Sequence, residues 1–114
     1  MTAITKASLP DNVREVVEII RDGYDPEKII VFGSYAKGTQ REGSDLDILV
    51  VKETTARWTD RVRAVSRLLT PRRLPMDVIV KTPAEVEEAL QERELFMRRV
   101  MGEGVVAYER EPTP

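Results

Sequence analysis

Apolar residues recur along this chain in two rhythms, and the change of rhythm marks the elements. Val13, Val16, Val17 and Ile20 have helical spacing. Ser8-Leu9-Pro10-Asp11 before them reads as a capping box with proline in the first turn, and Gly23 reads as the stop. Tyr24-Asp25-Pro26 reads as a turn. Ile29-Ile30-Val31-Phe32, in a strand starting at about Lys28, and Ile48-Leu49-Val50-Val51 each have the length and β-branched content of a buried strand. A helix is predicted from about Ala56 to Leu69, with Trp58, Val62, Val65 and Leu69 as its apolar stripe and Pro71 ending it. Pro75 leads into a third strand, Met76-Asp77-Val78-Ile79-Val80. Thr82-Pro83-Ala84-Glu85 is a second capping box, followed by a helix with Val86, Ala89 and Leu90 facing inward. Glu92-Arg93-Glu94 bends or interrupts that helix, and Leu95, Phe96, Met97 and Val100 continue its apolar set. Met97 and Met101 read as core filling. Gly102-Glu103-Gly104 is a predicted turn, Val105-Val106-Ala107-Tyr108 a short last strand, and residues 1–7 and 110–114 are loose tails.

These elements describe one domain over residues 1–114, of the α/β (α+β) class, with a small mixed β-sheet flanked by helices. The strand–helix–strand order from the second strand to the third implies a parallel crossover. A net charge of −2 gives no bulk attraction to nucleic acid or to an anionic membrane. The chain has no cysteine and no histidine. That excludes disulfides, thiolate or histidine metal sites, and Ser-His or Cys-His catalysis, and leaves carboxylate chemistry. No apolar run approaches the length of a membrane span and the N-terminus has no signal-peptide core, so the expected location is cytoplasmic.

The chemistry concentrates between the first two strands, in Gly33-Ser34-Tyr35-Ala36-Lys37-Gly38-Thr39-Gln40-Arg41-Glu42-Gly43-Ser44-Asp45-Leu46-Asp47. Side chains alternate along a strand, so Asp45 and Asp47 point the same way. Two carboxylates on one face repel unless a cation joins them, and their oxygens suit a hard ion such as Mg2+. Ser34 is a good N-cap for a short turn over Tyr35-Ala36-Lys37, which Gly38 ends. Gly33 permits close approach of a ligand to the backbone, and the free N–H groups with the Ser34 hydroxyl suit a phosphate. If the two strands are antiparallel neighbours, this cradle lies against the acid pair.

Gly33-Ser34, ten residues, then Asp45-Leu46-Asp47 resembles the motif of the nucleotidyltransferase family of the DNA polymerase beta superfamily. The resemblance runs from the first strand to the last and is greatest to the minimal stand-alone members. It implies a nucleotidyltransferase fold and an Mg2+-dependent transfer of AMP from ATP to a hydroxyl. In such members the acceptor is a tyrosine of a helical HEPN-domain toxin, for which the transferase is the antitoxin. It also implies that Asp45 and Asp47 hold two Mg2+ ions, or one with a second arriving on the nucleotide. Gly33 and Ser34 would hold the β- and γ-phosphates. Lys37 and Arg41 either add charge there or are solvated loop residues.

Asp77 has two readings. In parallel strands the starts lie together, so it can converge with Asp45 and Asp47, and the family carries a third acid on this strand. There it would bind metal near the attacking hydroxyl, and either take its proton or leave metal coordination alone to acidify it. Otherwise it is a strand-end acid, solvated or paired with Arg72 or Arg73. Arg57, Arg61, Arg63 and Arg67 read more readily as a solvated helix face than as a nucleic-acid surface, because they cover a broad arc without interleaved aromatics. Outside the core pattern, Tyr35 and the arginines of 57–73 are candidates for a partner surface. Two further functions fit the residues: a transferase acting on a small molecule or an RNA end, and an idle subunit that masks its partner.

Overall fold

The computed structural model describes residues 5–71 and 74–111. Residues 1–4, Arg72, Arg73 and 112–114 lie outside these, and with them most of the expected tails and the possible pairing of Asp77 with Arg72 or Arg73. In chain order the elements are α1 (Asp11–Tyr24), β1 (Lys28–Phe32), α2 (Ser34–Lys37), β2 (Leu46–Val51), α3 (Trp58–Leu68), β3 (Met76–Lys81), α4 (Pro83–Gln91), α5 (Leu95–Glu103) and β4 (Val105–Glu109). The four strands form one mixed sheet in the order β3-β2-β1-β4. β1 is antiparallel to both β2 and β4, and β2 is parallel to β3. This is the α+β architecture expected, with the antiparallel and parallel pairings where the connections required them.

Alternation along the strands divides the core in two. Ile29 and Val31 of β1, Leu46, Ile48 and Val50 of β2, and Val80 of β3 point to one face, where Val13, Val17 and Ile20 of α1 and Val65 of α3 cover them. Ile30 of β1 and Leu49 and Val51 of β2 point to the other, under Val86 and Ala89 of α4 and Met97 and Val100 of α5. Both faces being covered is why the first two strands read as unbroken apolar runs. Burying each such side chain contributes about 1.5–3 kcal/mol, more than the ~1 kcal/mol of a cap, so the strands rather than the helix ends hold the sheet in place.

Several local expectations give way to tertiary contacts. No side chain caps α1; Ser8 ends a 3-10 turn over Lys6–Ser8, and its hydroxyl lies 3.1 Å from that of Thr5. The helix also runs through Gly23 and ends at Asp25, in left-handed conformation at φ 53°. Gly23 is instead a contact point: a Cβ there would meet a Leu68 methyl of α3 at 2.7 Å. Trp58 is not part of an apolar stripe, being 68% exposed, and α3 instead turns Arg61 inward with Val65. The Arg61 guanidinium donates to the Ala56 carbonyl at 2.8 Å and to Glu85 Oε1 at 2.6 Å. Glu85 in turn accepts from the Thr82 N–H at 2.7 Å, while the Thr82 hydroxyl accepts from the Glu85 N–H at 3.1 Å, completing the predicted capping box of α4.

Residues 92–94 do interrupt the long C-terminal helix, with Arg93 at φ 58°. Beyond them Met97 and Val100 are buried, but Leu95 and Phe96 are largely exposed, so the apolar set is narrower than its spacing suggested. α5 continues through Gly102 and Glu103, where a turn was predicted. Tyr35 is buried in the core rather than available to a partner. Arg110, placed in a loose tail, donates to the Asp25 carboxylate at 2.6 Å, and its N–H donates to the Glu27 carbonyl at 2.8 Å. No helix among the described residues is long and apolar enough to cross a membrane.

Candidate active site

The two central strands and β3 bring one row of side chains to the end of the sheet. Phe32 of β1 is the register partner of Asp47 of β2, and Asp47 is the register partner of Asp77 of β3. All three stand on the face covered by α4 and α5, because they share the parity of Ile30, Leu49 and Ile79. Asp45 lies just ahead of β2 and is exposed; the next residue, Leu46, donates its N–H to the Pro75 carbonyl at 2.8 Å, which ties this loop to the start of β3. Asp77 is exposed, on an edge strand, so it bears little of the desolvation penalty that an acid in an apolar strand suggests.

The acids act on one another. Burial first, and then the charges of Asp77 and Asp45, push the Asp47 carboxyl above the usual aspartate range. Asp45 and Asp77 thus both act on Asp47. The three are not drawn together tightly, for among the described residues no group of three or more acids is gathered as an ion would require. The donor set still fits a divalent cation: all oxygen, all acidic, and with a central carboxylate whose charge its neighbours disfavour.

Gly33 shapes the other side. Its backbone is at φ 73° and ψ −149°, a region open to glycine alone, and a Cβ there would collide with Asp47 Oδ2. The residue is thus required twice, for the turn out of β1 and for room beside the carboxylate. It is Gly33, not Ser34, that caps α2; Ser34 is its first residue and Gly38, at φ 71°, its C-cap. The loop before Asp45 closes on itself, with the Arg41 N–H donating to Ser44 Oγ at 2.8 Å and the Ser44 N–H to the Arg41 carbonyl at 2.9 Å.

A pocket of about 250 Å3 opens at this end of the sheet. Phe32, Gly33, Lys37 and Asp47 line one side, and Phe96, Arg99, Val100 and Glu103 of α5 line the other. Lys37 Nζ lies 3.8 Å from Glu103 Oε2. Arg41 is exposed and lines no part of this pocket, and neither do Asp45, Asp77 or Ser34. Larger hollows, such as one of about 380 Å3 lined by α1 and β4, contain none of the motif residues, so chemistry and not volume marks the site. Sequence reasoning missed the α5 wall: Phe96 and Arg99 are one helical turn apart, but nothing in their spacing says that they meet β1 and α2.

Residues 13–101 match the family described as the nucleotidyltransferase domain. The chain belongs to that family. As a nucleotidyltransferase it is 34% identical, over 100 residues, to MJ0604, a candidate protein adenylyltransferase of Methanocaldococcus jannaschii; the match covers 84% of this chain and 94% of the relative. Its fold is similar to that of a candidate nucleotidyltransferase from Sulfolobus solfataricus, at 27% identity and a TM-score of 0.62, with 92% of this chain and 84% of that one covered. It is also similar in fold, at 21% identity and a TM-score of 0.65, to a chain of a toxin–antitoxin crystallised with AMP-PNP, covering 90% of this chain and 76% of that one.

Proposed function

We propose that this nucleotidyltransferase moves AMP from ATP to a hydroxyl of a partner protein, a tyrosine of a HEPN-domain toxin, and acts in the cytoplasm as that toxin's antitoxin. The observation that carries the reading is the pairing of Asp47 with Asp77 beside the backbone of Gly33. The relative named for protein adenylyltransferase and the fold shared with a toxin–antitoxin chain solved with a nucleotide analogue support it.

Asp45, Asp47 and Asp77 are the residues that would hold Mg2+, as two ions. When bound, the metal neutralises charge on the phosphates and acidifies a nearby hydroxyl. Gly33 and Ser34 present backbone N–H groups and a hydroxyl to the β- and γ-phosphates, with Lys37 adding positive charge. Arg41 adds charge from the loop. Asp77 takes the proton of the attacking hydroxyl. The hydroxyl oxygen bonds to the α-phosphorus, the bond from that phosphorus to the β-phosphate oxygen breaks, and pyrophosphate leaves. Because Asp77 is exposed on an edge strand while Asp47 is partly buried, the acceptor approaches from the β3 side. The partner is read as a protein rather than a nucleic acid, supported by the turning of Arg61 into the structure, which takes one of the arginines of α3 out of any basic surface.

Mass spectrometry of a HEPN-type partner co-expressed with the wild-type protein tests this. The expected result is one added AMP on a tyrosine, absent with Asp47→Asn. A partner that binds but stays unmodified with ATP and Mg2+ turns the reading to masking. Modification of a small hydroxyl compound or an RNA end instead turns it to the corresponding free-standing transferase.

A further inference from the structure

The pocket beside Asp47 contains two cations in different states. Lys37 already faces Glu103 across it. Arg99, on the opposite wall, has no carboxylate within ion-pairing distance among the described residues. It is an exposed arginine that lines a pocket, and the planar fork of donors of a guanidinium is well matched to phosphate oxygens. Its neighbour Arg98 is also exposed but lines no part of the pocket.

Phe96, one turn earlier, lines the same pocket. It is 44% exposed. Its ring meets that of Phe32 edge-to-face, with centroids 5.6 Å apart and planes at 84°. Such a contact fixes the ring and leaves at least one of its faces unoccupied by Phe32. The pocket therefore presents a held aromatic surface and a free guanidinium on one helix, opposite the Gly33 turn and Asp47. At about 250 Å3 it is smaller than the ~300–1,000 Å3 that encloses a drug-sized ligand, so it suits part of a nucleotide with the rest open to solvent.

We propose that α5 is a nucleotide-gripping wall, in which Arg99 binds the phosphate chain and Phe96 stacks on the base. This rests on the proposed reading only in taking ATP as the ligand of the pocket. Neither residue belongs to the Gly-Ser or Asp-x-Asp motif. The acids and the Gly33 turn would handle the reacting end, while α5 sets how tightly the nucleotide is held.

The test is binding without any acceptor, followed by NMR titration with ATP and with adenosine in Mg2+. Arg99→Ala is expected to weaken ATP at least about tenfold and leave adenosine unchanged, since a charge-assisted contact is lost. Phe96→Leu, which keeps an apolar contact to Phe32, is expected to weaken both ligands by about tenfold, in line with loss of one base–aromatic stack. Arg98→Ala should match the wild type. ATP affinity unchanged in both Arg99→Ala and Phe96→Leu overturns the proposal, as does absence of ATP binding to the wild type. Variants that keep ATP affinity but lose the partner overturn it too and make α5 a docking surface. If the wild type shows these affinities yet modifies no partner, the wall stands and the adenylyltransferase reading fails. If AMP transfer proceeds with affinities unaltered in the variants, the reverse holds.

Discussion

Asp47 and Asp77 stand side by side in the parallel register of β2 and β3, and burial, followed by the charge of Asp77, holds the Asp47 carboxyl above its ordinary range. Ionised Asp47 is therefore a destabilising group in the folded protein when no cation is present. Asp47→Asn keeps the shape that fits beside Gly33 and removes the charge. Its thermal midpoint in EDTA should equal or exceed that of the wild type, while AMP transfer is lost. Adding Mg2+ with ATP should raise the wild-type midpoint and not that of the variant, as a ligand bound only by the folded state requires. A variant that retains transfer removes Asp47 from the site.

Asp77→Ala separates the two readings of that residue. It is exposed on its edge strand, so its loss should leave the midpoint within about 0.5 kcal/mol of stability, the usual range for surface substitutions. Transfer should disappear and ATP binding should largely remain. The Asp47 carboxyl should also titrate at lower pH, read from its side-chain carbon resonance in metal-free buffer. Full turnover with a lowered midpoint would make Asp77 structural.

Gly33→Ala meets both a forbidden backbone region and the Asp47 carboxylate. The expected cost is about 1–3 kcal/mol in denaturant unfolding, from backbone strain alone. ATP binding should fall with it, and Asp47→Asn should not rescue the variant because the side chain keeps its volume. A Gly33→Ala protein of wild-type stability contradicts the close approach.

Arg61 is the arginine of α3 that does structural work away from the site. Removing it with Arg61→Ala strips Glu85 of a charged partner and leaves the Ala56 carbonyl without its donor, so about 2 kcal/mol of stability should be lost while ATP binding is spared. The same cluster sets an acid limit. The Thr82 backbone N–H first, and then Arg61, hold Glu85 below the usual glutamate range. Its contribution is complete above the unfolded value of about 4.3 and is lost as pH falls through the lower folded value. Denaturation midpoints followed from pH 6 down to 3 should show this loss in the wild type and much less of it in Glu85→Gln. Parallel curves for the two proteins would deny Glu85 that role.

What the sequence determined by itself was local. The strands were legible because two covered sheet faces demand unbroken β-branched runs, and β1 matched its predicted bounds, Lys28–Phe32. The Thr82–Glu85 capping box was legible because it closes within four residues. The Gly33-Ser34 and Asp45-Leu46-Asp47 spacing pointed to the candidate site because a turn and a strand start face each other across an antiparallel pair, the pairing that β1 and β2 make. Tertiary structure alone decided which helical faces find a cover. Helical spacing shows that a stripe exists, but only packing tells that Arg61 turns inward to Glu85 while Trp58 stays in solvent. It likewise put Tyr35 under the sheet and left Phe96 at a pocket mouth. Arg99 lines the same pocket as Lys37 and Asp47 for the same reason: it lies more than fifty residues beyond Asp47 in sequence, and long-range register is set by the burial of Met97 and Val100 against Ile30 and Leu49, a contact no local pattern encodes.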